Sequence, residues 1–126
     1  MRLHGITVDT GFLVAVERSK RRALALLVAA GARKMRMTVP VAVLAEWWRA
    51  GHGQGHYLQA FEIEPMSERL AKSAGEAIAA VHGATVVDAI VMASAAQRDD
   101  VVYTSDFDDL SRLREQHFRG VRVLGV

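Results

Sequence analysis

Short β-branched runs alternate along this chain with longer stretches of helical composition and spacing, and that alternation limits its possible folds more than any other feature. Residues 3–8 read as a short buried strand and residues 10–16 as the helix after it. Residues 19–34 read as a second helix, with Ser19 as its N-cap and an Ala/Leu/Val body ending at Gly31. A strand at 35–39 leads into a helix over 41–50, with Pro40 placed where a first helical turn tolerates proline. Gly51-His-Gly-Gln-Gly55 is a flexible break too short to link domains, followed by a turn at 56–60 and an extended segment at 61–64. Residues 67–82 carry an apolar stripe of Leu70, Ala74, Ala77, Ile78 and Val81 on a helix that Gly83 ends. Residues 85–97 form a helix that is apolar nearly all round, and so deeply buried. A strand at 101–103, a helix at 106–116 and a strand at 121–124 complete the pattern. Strands separated by helices of this length imply an α/β fold with a mainly parallel sheet covered on both faces. With 126 residues, 51% of them hydrophobic, the chain has material for one domain with a core of its own, over residues 1–126.

Ligands of open parallel sheets bind beyond the carboxyl ends of the strands. Four acids fall at or near such places, each in apolar surroundings: Ile-Thr-Val-Asp9, Val-Leu-Ala-Glu46-Trp, Thr-Val-Val-Asp88-Ala-Ile and Val-Val-Tyr-Thr-Ser-Asp106. Carboxylates in such settings are costly unless a positive group, commonly a hard metal ion, lies between them. Three of them also have a structural reading. Thr85 and Asp88 match a capping box, Asp9 can cap the helix starting at Thr10, and Asp106 can cap its own helix with Asp109 three residues on. Glu46 sits well inside its helix, where capping does not explain it.

Several chemistries are excluded or weakened. Cysteine is absent, so there is neither a disulfide framework nor a thiolate metal site, as fits a reducing cytoplasm. The start reaches a charge too soon for a signal peptide, and the longest apolar stretch, residues 23–32, is too short to span a bilayer. No Gly-rich phosphate loop is present. His52 and His56 are four apart, but glycines surround them and no third ligand is evident, which fits a polar loop. Of Trp47 and Trp48, adjacent on a helix, one is expected in the core and the other near an interface. The 16 basic side chains face 14 acidic ones; with the four candidate acids set aside, 10 remain and the body of the protein is basic. An acidic pocket in a basic body suits a polyanionic substrate. The basic residues cluster as Arg18, Lys20, Arg21 and Arg22, as Arg33, Lys34 and Arg36, and as Arg112, Arg114 and Arg119.

The segments Val8-Asp9-Thr10-Gly11-Phe12-Leu13, Val43-Leu44-Ala45-Glu46-Trp47-Trp48-Arg49, Val87-Asp88-Ala89-Ile90-Val91-Met92-Ala93 and Tyr103-Thr104-Ser105-Asp106-Phe107-Asp108-Asp109-Leu110 resemble, in this order, the motifs of PIN-domain ribonucleases, and among them the VapC-type toxins of bacterial toxin–antitoxin pairs. The resemblance implies a three-layer α/β/α sandwich and a Mg²⁺- or Mn²⁺-dependent endoribonuclease. It also implies a homodimer and inhibition by a small antitoxin whose tail occupies the acidic site. By position, Asp9, Glu46, Asp88 and Asp106 match the family's acidic quartet, with Thr104 and Ser105 as its small polar neighbours, Thr10 beside Asp9, and Asp109 able to share the fourth role. Asp9 and Asp88 are then expected to ligate the metal directly. Glu46 and Asp106 are expected to act through water, orient the nucleophile or complete a second metal site. Attack by water on RNA would leave a 5′-phosphate and a 3′-hydroxyl.

Two other classes stand beside this one. A signalling receiver domain also gathers aspartates at a sheet edge, but its paired acids after the first strand and its late lysine are missing: Asp9 stands alone and the only lysines are Lys20, Lys34 and Lys72. A PIN-like module that binds RNA or protein without cutting would not need the whole quartet.

Overall fold

The computed structural model describes residues 4–48 and 56–126. The glycine-rich break, His52 and the last two residues of the helix expected at 41–50 lie outside the described residues. Among those described, five short strands form one sheet in which every neighbouring pair is parallel. β1 (Ile6–Val8) is central, between β2 (Met37–Pro40) and β4 (Val101–Thr104), with β3 (Glu62–Glu64) and β5 (Arg122–Gly125) at the edges. Ile6 lies opposite Met37 on one side and Val101 on the other, and Val8 opposite Tyr103.

A parallel pair cannot be joined by a tight turn, so helices make every return. α1 (Thr10–Glu17) and α2 (Arg21–Ala32) connect β1 to β2, and α3 (Val41–Trp48) follows β2, with a 3₁₀ turn at His56–Ala60 before β3. α4 (Glu68–Ala80) and α5 (Val86–Arg98) lead from β3 to β4, and α6 (Phe107–Gln116) from β4 to β5. The chain steps outward from β1 through β2 to β3, then crosses back to build β4 and β5 on the other side of β1. Because such crossovers are right-handed, the helices before β3 cover one face and those after it cover the other. The result is a three-layer α/β/α sandwich, and its strand order reverses between β1 and β4.

Burial follows the sequence pattern. α5 is buried without a break from Ala89 to Ala95, and its small side chains allow close approach to α4, α6 and the sheet. Leu70, Ala74, Ala77 and Val81 are buried along α4 as the stripe requires, and Ile78 is half-buried. Ser67 caps α4, accepting from the Leu70 N–H at 3.0 Å. Trp47 is 1% exposed and Trp48 53%, which divides the tryptophans between core and surface as their adjacency on a helix demands. Each large side chain buried as fully as Phe12, Leu13 or Trp47 contributes about 1.5–3 kcal/mol from apolar area removed from water.

Some boundaries differ from those read in the sequence. Ser19 is not the N-cap of α2. It takes a left-handed conformation (φ 55°) in the turn closed by Ser19 N–H to Val16 O and Lys20 N–H to Ala15 O, so the cap position passes to Lys20, which makes no side-chain capping bond. Pro40 is the last residue of β2 rather than part of a helical turn; it lies beyond the last pair of β2 with β1 and opposite Glu64 of the edge strand β3. Gly83 lies beyond the end of α4, in a turn whose positive φ of 82° suits glycine.

One buried polar cluster was not foreseen. Arg98, the last residue of α5, reaches Glu64 of β3 and Asp100 before β4, and also donates to Thr7 of β1 at 2.9 Å and Ser94 at 2.8 Å. Thr7 donates to Asp100 at 2.8 Å, and Asp100 and Thr7 are both almost completely buried.

Candidate active site

Asp9 follows β1 directly, at the start of α1, and is 3% exposed. Its Oδ1 accepts the Phe12 N–H at 2.9 Å, so the capping role is real. Its Oδ2 accepts the Thr104 hydroxyl at 2.5 Å, and that hydroxyl oxygen in turn accepts the Asp106 N–H at 2.7 Å. One threonine at the end of β4 thus ties the end of β1 to the loop before α6. Burial pushes the Asp9 pKa up to about 6 from the usual 3.8; the bonds from Thr104 and Phe12 oppose the rise, and the charges of Asp88 and Asp106 add to it.

Asp88 lies in the first turn of α5, half-buried, with its N–H donating to Thr85 Oγ1 at 3.1 Å. Burial raises its pKa; hydrogen bonding with Thr85 lowers it, and Asp106, Asp109 and Glu46 raise it further by charge. Asp106 occupies the N-cap position of α6 but makes no side-chain capping bond, so the capping reading does not hold for it. It is exposed, and its pKa is raised by partial desolvation and then by the charge and hydrogen bond of Asp109 and the charge of Asp108. Glu46, on the second turn of α3, is half-buried and accepts a hydrogen bond from the Thr10 hydroxyl.

The acids read from sequence are therefore brought within electrostatic reach of one another, from the starts of α1, α5 and α6 and the middle of α3. They meet where strand order reverses, the place at which parallel sheets bind ligands. None of Asp9, Glu46, Asp88, Asp106 and Asp109 forms an ion pair with Lys or Arg among the described residues. Ser105 is exposed and sits over Gly11, where a Cβ would stand 2.3 Å from its Oγ. Gly11 belongs to the first motif but is not among the site residues that the sequence singles out. Its signal was a glycine in the first turn of an otherwise apolar helix, which costs helix propensity unless backbone must come close to something.

The donor set suits a hard divalent cation, because it is all carboxylate and hydroxyl oxygen. The spacing is open: among the described residues no three His, Asp or Glu side chains converge closely enough to enclose an ion. An ion that keeps much of its water and takes only one or two carboxylates, as Mg²⁺ does, needs no closed protein cage. The paired-histidine zinc reading gains nothing, since His52 lies outside the described residues and His56 is an exposed residue of the 3₁₀ turn. Among the described residues no helix is long and apolar enough to cross a membrane.

No family model matches the sequence, and no curated protein matches it either. Solved structures do match in fold. VapBC2 from Rickettsia felis, bound to a DNA fragment from its promoter, superposes with a TM-score of 0.73 at 14% identity, over 96% of this chain and 98% of that one. DNA-bound VapBC from Salmonella typhimurium gives 0.72 at 13% identity, over 98% of both chains. FitAcB from Neisseria gonorrhoeae gives 0.71 at 18% identity, over 94% of this chain and 96% of that one. Across nearly its whole length the chain shares the three-layer α/β/α fold of these structures.

Proposed function

We propose that this chain is a divalent-metal-dependent endoribonuclease and the toxin of a toxin–antitoxin pair. One observation carries the reading: Asp9, Asp88 and Asp106, from three separate elements, gather at the reversal point of the sheet with pKa values raised by burial and by the charge of neighbouring acids, and with no basic partner among the described residues. Uncompensated charge of this kind is destabilising, and a fold that keeps it has a use for a cation. The similarity in fold to toxin–antitoxin structures supports the biological setting.

In this reading Asp9 and Asp88 hold Mg²⁺ or Mn²⁺, and Glu46 and Asp106 act through water, with Asp109 beside Asp106. When bound, such an ion acidifies a water and offsets charge on the scissile phosphate. The chain's own groups set the stage. Thr104 and the Phe12 N–H fix both oxygens of Asp9, Thr10 fixes Glu46, and Thr85 caps the helix that presents Asp88. The basic body attracts the RNA. An antitoxin covering the acids and a second copy of the chain are the expected partners, in the cytoplasm.

The test is cleavage of RNA by the purified chain in Mn²⁺ and in EDTA, with Asp88→Asn as the variant. Cutting that needs Mn²⁺, leaves 5′-phosphates and falls roughly a hundredfold or more in the variant supports the assignment. The open spacing of the acids would also suit a module that binds without cutting. RNA retained but intact in Mn²⁺ would establish that reading instead.

A further inference from the structure

A cleft of about 440 Å³ opens beside the acids. Gly11 and Ser105 form the wall it shares with them: a Cβ on Gly11 would lie 3.6 Å from Asp9 Oδ1 as well as against Ser105. Val14 and Ala15 of α1, with Val126, give it an apolar floor. Its rim carries Arg18, Lys20, Arg21 and Arg22, four cations within five residues, all exposed and none in an ion pair with a carboxylate among the described residues. The left-handed turn at Ser19 folds the start of α2 back on the end of α1 and so gathers these side chains.

We propose that this cleft is a nucleotide subsite, in which one residue of an RNA strand lays its base on the apolar floor and its flanking phosphates on the basic rim. The strand then continues past Gly11 and Ser105 to the acids. This rests on the RNA reading above and adds to it where the strand lies. Two properties favour a nucleotide over an acidic peptide. The floor is apolar while the rim is cationic, the combination a flat base between two phosphates requires, and arginine planes stack on bases as well as pairing with phosphate. The shared wall with Asp9 also places any strand seated here next to the reacting group. Nothing acidic stands in the first turn of α2, and its Lys20 cap position leaves helix N–H groups free to assist.

The test is fluorescence anisotropy of a short fluorescein-labelled single-stranded RNA with the full chain in EDTA, comparing wild type with the triple variant Arg18→Ala, Arg21→Ala, Arg22→Ala. Over roughly 50–200 mM KCl, losing three phosphate contacts should reduce the slope of log K against log salt by about 2 and weaken binding roughly tenfold or more. Thermal melting and Mn²⁺ binding should be unchanged. RNA affinity and salt slope equal to wild type overturn the subsite, and do so equally if the variant instead loses affinity for a polyglutamate peptide. If the triple variant loses affinity and slope as expected but the wild type never cuts RNA, the subsite stands and the nuclease reading fails. If it cuts RNA and the triple variant binds unchanged, the reverse holds.

Discussion

Asn in place of Asp9 should make the metal-free protein more stable. In the native state the Asp9 carboxyl has a pKa of about 6 against 3.8 when exposed, chiefly because it is buried. At about 1.4 kcal/mol per pH unit, keeping it ionised at pH 7 costs the fold roughly 3 kcal/mol. Asn caps a helix as well as Asp does and keeps the bond from Phe12 N–H. Its amide must, however, donate toward Thr104, whose hydroxyl now donates to Asp9, so about 1 kcal/mol is lost there. The net gain is about 1–2 kcal/mol, or roughly 3–10 °C in melting temperature for a domain of this size. The pH dependence follows from the same shift. A carboxyl whose folded pKa exceeds its unfolded one binds protons better when folded, so the wild type in EDTA should gain stability as pH falls from 7 through 6 toward 4. Asp9→Asn should lose the share of that rise due to Asp9 and keep only what the raised pKa values of Asp88 and Asp106 contribute. Mn²⁺ should raise the melting temperature of the wild type and not of the variant, and its hold on the wild type should weaken below pH 6 as protons compete. Thermal melting across pH, with and without Mn²⁺, measures all of this. A variant that melts below the wild type at pH 7 in EDTA would refute the reasoning, because Asp9 would then be a helix cap first and a ligand at most second.

Arg98→Ala leaves Asp100 and Glu64 without their cation in a largely buried place, and should cost about 3–5 kcal/mol in urea unfolding. Gly5→Ala would set a Cβ 2.6 Å from Asp100 Oδ1 and 3.2 Å from the Arg36 carbonyl, and should destabilise by about 1–3 kcal/mol, less in an Asp100→Ala background. Trp48→Glu, on the exposed apolar patch with Val41, Leu44 and Ala45, should leave melting nearly unchanged but turn a dimer into a monomer by light scattering. A wild type that is already monomeric would remove that patch from consideration as the dimer interface.

The layered architecture was legible because it rests on local signals: β-branched runs of a few residues, the α4 stripe, and the unbroken apolar length of α5 all state which faces are buried. Asp9, Asp88 and Asp106 were readable as candidates because they follow strands or open helices, and Glu46 because nothing local explains it. What the sequence could not separate was capping from function. The structure divides the three possible caps: Asp9 caps α1, Thr85 caps α5 by accepting the Asp88 N–H as a capping box requires, and Asp106 caps nothing. The errors were conformational, as with Ser19, whose type favours N-caps but whose position in a tight α1–α2 turn demands a left-handed backbone. The Arg98 cluster was invisible for another reason. Its partners stand 34 and 91 residues away, and an arginine at a helix end followed by two aspartates reads locally as an ordinary polar turn.

That cluster also acts as a gauge. Arg98 and Asp88 belong to the same rigid helix, ten residues or about 15 Å apart along its axis. Clamping one end to β1, β3 and the start of β4 sets how far the other end projects beside Asp9, and a slip of one residue would shift Asp88 by about 1.5 Å. Oxygen distances that distinguish Mg²⁺ from Ca²⁺ differ by only about 0.3–0.5 Å. Under the proposed metal reading, altering Glu64 or Asp100, which touch neither Asp9 nor Asp88, should alter which ion the acids prefer.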